Sequence, residues 1–89
     1  MARVVITHRI EDVDTWLKGK QERAEAIGMM GGTNVVDHVA HDGSNAIAVT
    51  CDVDNVETVV ATVASPPADM TAAMQRHGVV PPLTVYVER

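Results

Sequence analysis

The sequence contains few of the side chains that usually reveal a function. It has no phenylalanine, one tryptophan, one tyrosine and one cysteine among 89 residues. A single cysteine excludes an intramolecular disulfide and favours a reducing interior, where we expect Cys51 to be a small buried hydrophobic residue. The core must then be built from Val, Ala, Ile, Leu and Met, of which each larger side chain stabilises the fold by about 1.5 to 3 kcal/mol when buried.

Basic residues and long apolar runs are also scarce. Seven Lys and Arg stand against twelve Asp and Glu, which gives a net charge of −5. Binding to nucleic acid draws on clustered basic residues, and here they are scattered. No apolar run approaches the ~18 residues of a membrane span, and the N-terminus lacks the apolar stretch of a signal peptide. We therefore expect a cytoplasmic protein that binds neither nucleic acid nor membrane.

The first third of the chain carries a strand pattern followed by a helix pattern. Residues 2–10 alternate between two faces, which predicts a central strand. Asp12 is placed to cap an amphipathic helix that bears Trp16 and ends at Gly28. Gly19 is a weak point inside this helix, because it costs about 1 kcal/mol relative to Ala unless close packing requires a glycine.

The rest of the chain continues the alternation. Residues 34–41 and 45–52 are apolar or alternating runs separated by Asp42-Gly43-Ser44, which predicts a hairpin. Asp54 and Glu57 resemble a capping box before a valine-rich helix.

A proline pair then interrupts this second helical region. Ser65-Pro66-Pro67 divides it, with the serine placed to cap a further short helix over residues 68–76. A final alternating strand is predicted over residues 83–88.

The element order β-α-β-β-α-β predicts one α+β domain over residues 1–89. It is the ferredoxin-like arrangement, an antiparallel sheet with helices on one face. The other sheet face would expose Val5, Thr7, Thr84 and Tyr86. Such a broad face needs a cover, which predicts a homodimer.

Four stretches together cover nearly the whole chain: the Thr-His-Arg-Ile-Glu-Asp-Val-Asp-Thr-Trp stretch at 7–16, the glycine-rich segment after the first helix, the hairpin, and the segment from Ala64 to Pro82. In these stretches the chain resembles the dimeric α/β-barrel superfamily of small proteins. The resemblance implies that two protomers pair sheet to sheet into a barrel, each with a ligand pocket between helices and sheet. The superfamily includes cofactor-independent monooxygenases, polyketide cyclases, lactone isomerases and haem-binding proteins, so the fold does not choose among them.

His8 is the candidate catalytic residue. It shares a strand face with Val4 and Ile6, which should look toward the helices where the pocket of such folds lies. An imidazole there can act as a general base, hydrogen-bond a ligand or bind haem iron. The alternative is a partly buried histidine satisfied by a neighbour. Trp16 is a candidate wall of the same pocket, with a core anchor as the alternative.

Four further residues are candidates for ligand binding. His38 can join His8 if the strand register permits, but it cannot chelate a metal with His41, since residues three apart on a strand face opposite sides. His77 lies at a helix end, where a histidine often complements the helix dipole. Met29 and Met74 are candidate pocket lining, although methionines more often fill gaps in a core. We expect no metal site and no cofactor.

The functional hypothesis is a homodimer that binds a small, largely apolar molecule. If it is an enzyme, the resemblance points to cofactor-independent oxygenation, cyclisation or isomerisation of an apolar or aromatic compound, with His8 transferring the proton and Trp16 shaping the pocket. The alternative is a non-catalytic ligand-binding or structural dimer, and haem binding by His8 is a third hypothesis.

Overall fold

The computed structural model describes all 89 residues, and each predicted helical region consists of two helices. The elements are β1 (Ala2–Ile10), α1 (Val13–Lys18), α2 (Lys20–Met29), β2 (Thr33–Val39), β3 (Ala46–Val53), α3 (Val56–Ala64), α4 (Ala68–Arg76) and β4 (Val79–Val87). None of the helices combines the length and the apolar character required to cross a membrane.

The four strands form one antiparallel sheet in the order β2-β3-β1-β4. The alternate residues of β1 and β3 that face the helices are buried, and they join Trp16, Ile27 and Val59 from the helices in one core. The predicted ferredoxin-like α+β fold, with helices on one sheet face, is therefore confirmed.

The break between α1 and α2 falls at Gly19. Asp12 caps α1 as predicted, because its carboxylate accepts a hydrogen bond from the backbone N–H of Thr15 at 2.9 Å. A Cβ atom on Gly19 would lie 2.4 Å from the imidazole Nε2 of His77, so no larger residue fits there without displacing that ring. Because Gly19 has no side chain, the C-terminal end of α4 can lie close to the start of α2.

Two capping predictions in the second helical region were wrong. Asn55, not Asp54, caps α3 by accepting from the backbone N–H of Thr58 at 3.3 Å. Ser65 ends α3, and α4 begins after Pro67 without a side-chain cap. Asparagine is as good an N-cap as aspartate, so a tract with both offers two starting points one residue apart.

The last strand begins four residues earlier than predicted and includes Pro81 and Pro82. Proline cannot donate a hydrogen bond to a neighbouring strand, which argued against a strand here. Because β4 is an edge strand, it pairs with β1 alone. The missing N–H groups of the two prolines therefore leave no second neighbouring strand without a hydrogen bond. The pairing of β1 with β4 shifts register between Thr7 and Arg9, opposite these prolines.

The second sheet face carries no helix. One row of cross-strand neighbours on it consists of Val36, Thr50, Val5 and Tyr86, one from each strand. The outer members of this row, Val36 and Tyr86, are 43% and 55% exposed. We call this surface the open sheet face.

Candidate functional site

A cavity of about 100 Å³ lies between the sheet and the helices. Twelve of its sixteen lining residues are apolar, and they come from three strands, all four helices and the segment after α2. The four polar lining residues are His8, Glu22, Arg23 and His77. The site is thus an apolar pocket with a few convergent polar groups, which is the usual form of a small-molecule site.

His8 enters the cavity from β1 as a neutral imidazole. His8 is 9% exposed, and its Nδ1 atom lies 2.8 Å from the backbone carbonyl oxygen of Arg9. A carbonyl can only accept, so Nδ1 carries the proton and Nε2 carries the free lone pair. Burial, with a smaller contribution from the nearby Arg23 charge, lowers the pKa of His8, while the hydrogen bond to Arg9 opposes the shift. The arrangement holds an unprotonated base against an apolar pocket.

Trp16 forms a wall of the same cavity from α1. Its side chain is fully buried, and its ring meets the His8 ring edge to face, with the ring centroids 6.3 Å apart. The Nε1–H of Trp16 is the one buried side-chain polar group with no hydrogen-bond partner in the protein. An unpaired buried donor costs about 1 to 3 kcal/mol.

Arg23 is the most heavily bonded side chain of the site. Its guanidinium lies 4.0 Å from the centroid of the Trp16 ring and donates to the Trp16 backbone carbonyl at 3.1 Å. It also forms a two-pronged ion pair with Asp37 of β2, at 2.9 and 3.1 Å. Both partners are buried, with 10% and 3% of their side chains exposed. Arg23 thereby fixes Trp16 against the sheet.

The two members of the Arg23–Asp37 pair lie at different distances from the cavity space. Arg23 lines the cavity, whereas Asp37 does not. The carboxylate therefore holds the guanidinium from behind, and the positive end of the pair is the end presented to a ligand.

His77 and Glu22 lie together on the helix side of the cavity. The Nε2 atom of His77 is 2.7 Å from a carboxylate oxygen of Glu22, and its Nδ1 is 3.4 Å from Nη1 of Arg23. Arg76 donates to both oxygens of Glu22 at 3.0 Å. These bonds, first from Arg76 and then from His77, lower the pKa of Glu22. The Glu22 side chain is half exposed, which places it at the rim.

The structure brings His8, Trp16, His77 and Met74 together around this cavity. It does not bring His38 or Met29 there. His38 pairs with Ala48, whereas His8 pairs with Ile47, so the two histidines lie on opposite faces of the sheet. Met29, at the end of α2, is 87% exposed and lies outside the cavity, while Met30 lines it. The functional role of each of these residues stays a prediction.

Sequence reasoning missed Arg23 and Asp37. Arg23 stands four residues before Ile27 on the predicted helix, so the two side chains share its buried side. Asp37 occupies a helix-facing position of β2, opposite Val49 of β3. Charged side chains are almost never fully buried unless they are paired. A positive and a negative residue on two predicted buried faces therefore indicated an ion pair between the helix and the strand.

The arrangement can bind a small molecule and remove a proton from it. Nε2 of His8 is the acceptor, and the Arg23 guanidinium supplies donors at the same apolar space. No other ionisable side chain hydrogen-bonds to His8. No group of three or more His, Cys, Asp or Glu side chains is close enough to hold a metal ion.

Comparison with known proteins identifies the fold by structure and not by sequence. No family model and no curated protein matches the sequence. A provisionally named antibiotic biosynthesis monooxygenase from Bordetella bronchiseptica superposes with a TM-score of 0.74 and 12% identity, covering 99% of this chain and 94% of its own. A second antibiotic biosynthesis monooxygenase gives 0.66 at 12% identity, with 100% and 97% covered.

A third protein, provisionally named in the same way and from Deinococcus radiodurans, gives a TM-score of 0.60 at 15% identity, with 100% and 91% of the chains covered. Identities this low show a common fold and leave activity open. These structures confirm the ferredoxin-like fold that the resemblance implied.

Proposed function

We propose that this protein is a homodimer that binds a small, largely apolar molecule beside His8 and oxygenates it without a cofactor. The observation that carries the proposal is the neutral His8 imidazole, whose Nε2 lone pair is free at the wall of an apolar cavity. The names of the structural neighbours support oxygenation over cyclisation or isomerisation, the other two activities that the fold accommodates.

The chemistry that this site can supply is general base catalysis. His8 accepts a proton at Nε2 from a weakly acidic C–H or O–H group of the substrate, and its lowered pKa keeps it unprotonated near neutral pH. The substrate anion that results is the electron-rich form that reacts with dioxygen directly. In such an oxygenation one oxygen atom of O₂ becomes a carbonyl oxygen on the substrate and the other leaves as water. The two hydrogens of that water come from a CH₂ group or, in a hydroxyarene, from one ring C–H and one O–H, so the substrate supplies all of the electrons.

Arg23 stabilises the anion in this scheme. Its guanidinium presents positive charge to the cavity, and Asp37 and the Trp16 backbone carbonyl hold it in place. Donors that are fixed before the reaction cost no reorganisation when charge develops.

The cavity volume argues against haem as the occupant. Sites for drug-sized ligands usually measure about 300 to 1,000 Å³, whereas this cavity measures about 100 Å³. His8 has the free Nε2 that an axial ligand requires, but the space beside it does not fit a porphyrin.

Dimerisation is supported by the open sheet face. The protomer exposes 5497 Å², more than the about 5,000 Å² expected for a folded monomer of its mass. Val5, Val36 and Tyr86 form an apolar band that a second copy would cover. We place the dimer in the cytoplasm, where its unpaired cysteine stays reduced.

The test is ligand-dependent oxygen uptake with a matched pair of histidine variants. Purified protein is mixed with 1,4-dihydroxybenzene or 1,4-dihydroxynaphthalene, and O₂ consumption above the uncatalysed rate is followed with an electrode. We expect His8→Ala to abolish the catalysed rate and His38→Ala, on the other sheet face, to retain it. Loss of about 10² to 10⁴ is usual for a general base.

The emission of Trp16, the sole tryptophan, reports ligand binding independently of turnover. Binding without any catalysed oxygen uptake would leave a non-catalytic ligand-binding module, the alternative function. A rate that survives His8→Ala would contradict the role of His8, and the absence of binding would contradict the ligand site itself.

A further inference from the structure

We infer that the cavity takes a single-ring hydroxyarene and holds it as the phenolate, with Arg23 as the side chain that selects the anion. This inference rests on the proposed function, because it takes the cavity beside His8 as the ligand site. It adds a size limit, a charge state and a specificity-determining residue.

The size limit follows from the volume. An apolar cavity of about 150 Å³ in another protein holds one benzene molecule, and this cavity measures about 100 Å³. Met30, Met70 and Met74 are among its walls, and the unbranched ends of methionines can yield enough for one ring. A second fused ring has to extend from the apolar cavity into the more polar groove beside it, which shares Met30, Met70 and Ala73 with the cavity.

The polar groups of the cavity specify an ionisable hydroxyl group. An arginine has five N–H donors. Three of those of Arg23 bind Asp37 and the Trp16 carbonyl, and Nη1 has only the 3.4 Å contact to His77. One donor of Nη1 is therefore left without a protein partner.

His8 supplies the complementary acceptor. When the ligand ionises, its O–H bond breaks, the proton forms an N–H bond at Nε2 of His8, and the electron pair stays on the phenolate oxygen. The unpaired donor of Arg23 then has an acceptor of full negative charge, and charge-assisted hydrogen bonds of this kind are about twice as strong as neutral ones.

The charges around the cavity favour the anion over the neutral phenol. Arg23 lines the cavity and its counterion Asp37 does not. The other charged lining residue, Glu22, lies at the half-exposed rim and is held by Arg76 and His77. A phenolate near Arg23 therefore meets the positive end of a buried ion pair.

The test uses 4-nitrophenol, whose phenolate has its own visible absorption band. The compound is titrated with protein in a buffer about one pH unit below the pKa of the free phenol. We expect the bound compound to show the phenolate band, and 4-nitroanisole, which has no ionisable hydrogen, to bind at least about tenfold more weakly. Equal binding of the two compounds, or a bound form with the neutral spectrum, would overturn the anion claim.

Arg23 is tested with a variant that leaves no unpaired charge. In Arg23→Met/Asp37→Leu both members of the pair become apolar, a change that is often neutral for folding. We expect this variant to bind 4-nitrophenol in its neutral form and to lose the preference over 4-nitroanisole. Lys20→Gln, an exposed position on the same helix outside the cavity, is the control and should retain both. A phenolate band that persists in the double variant would remove Arg23 from the role.

The size limit is tested by calorimetry with phenol, 2-naphthol and 2-anthrol. We expect binding to weaken with each added ring, although apolar area alone would strengthen it. If the larger compounds bind or are oxidised and the single-ring compounds are not, this inference fails while the proposed function stands. If no compound of either set binds, both fail.

Discussion

The guanidinium of Arg23 lies 4.0 Å from the centroid of the Trp16 ring, and the same group donates a hydrogen bond to the Trp16 backbone carbonyl. Asp37 holds it from the sheet side through two further bonds. One charged side chain thus connects the helical layer, the sheet and the wall of the cavity, in a protein with almost no aromatic core.

Removing one charge of the Arg23–Asp37 pair should lower the free energy of unfolding strongly. In Asp37→Asn the buried guanidinium loses its counterion, and we expect about 3 to 5 kcal/mol less free energy of unfolding, measured by urea denaturation. Asp52→Asn is the matched control, because its partner Arg3 is 49% exposed and a surface pair contributes about 0 to 1 kcal/mol. Similar losses in the two variants would contradict the importance of burial.

Two glycines of the helical layer should respond to alanine with opposite signs. Gly19→Ala places a Cβ atom against the His77 ring, whereas a Cβ on Gly28 meets nothing within 4 Å. We expect Gly19→Ala to lower the midpoint of thermal unfolding and Gly28→Ala to add about 0.4 to 1 kcal/mol of stability. The prediction fails if Gly19→Ala is as stable as the wild type.

The buried His8 should make the protein less stable in mild acid. Its pKa is lowered in the folded state, so the unfolded chain binds the proton first as the pH falls below 6.5. The contribution of neutral His8 to the free energy of unfolding is complete above pH 6.5. It declines as the pH falls toward the pKa of His8 in the folded state, and below that pKa it no longer changes. Urea unfolding at several pH values checks this.

The matched variants for the pH series are His8→Gln and His38→Gln. Removing His8 should flatten the stability profile below pH 6.5, and removing the exposed His38 should leave the decline that His8 causes. An unchanged slope in His8→Gln would show that another group titrates. The NMR shift of the His8 ring protons gives the folded pKa directly.

The open sheet face should be the dimer interface. We expect the wild type to sediment as a dimer at micromolar concentration, and Val5→Lys to sediment as a monomer, because a lysine at the centre of the apolar band would be buried without a partner. Val60→Lys, an exposed valine on α3, is the control and should leave the dimer intact. A wild-type monomer would contradict the proposal.

The sequence predicts much of the fold because the signals are local. Alternation in β1, the Asp12 cap and the Asp42-Gly43-Ser44 turn each act within a few residues, and the structure confirms them: Gly43 adopts a φ of 80° and Asp42 accepts from the Ser44 backbone N–H at 2.9 Å. The prediction of β4 was too short because Pro81 and Pro82 are excluded only from a strand with two neighbours, and whether a strand lies at an edge depends on the whole sheet.

In the candidate site, too, the sequence predicts what depends on local signals and misses what depends on the packing of the whole chain. Strand parity alone put His8 on the helix-facing side, and helix periodicity put Trp16 opposite it, because both depend on backbone geometry over a few residues. The position of His38 on the other face depends on the pairing of β2 with β3, and the meeting of Arg23 with Asp37 depends on how α2 lies across β2. These contacts join residues that are far apart in sequence, so their positions follow only when the whole chain has packed. This packing forms the cavity and directs the Arg23 charge toward it.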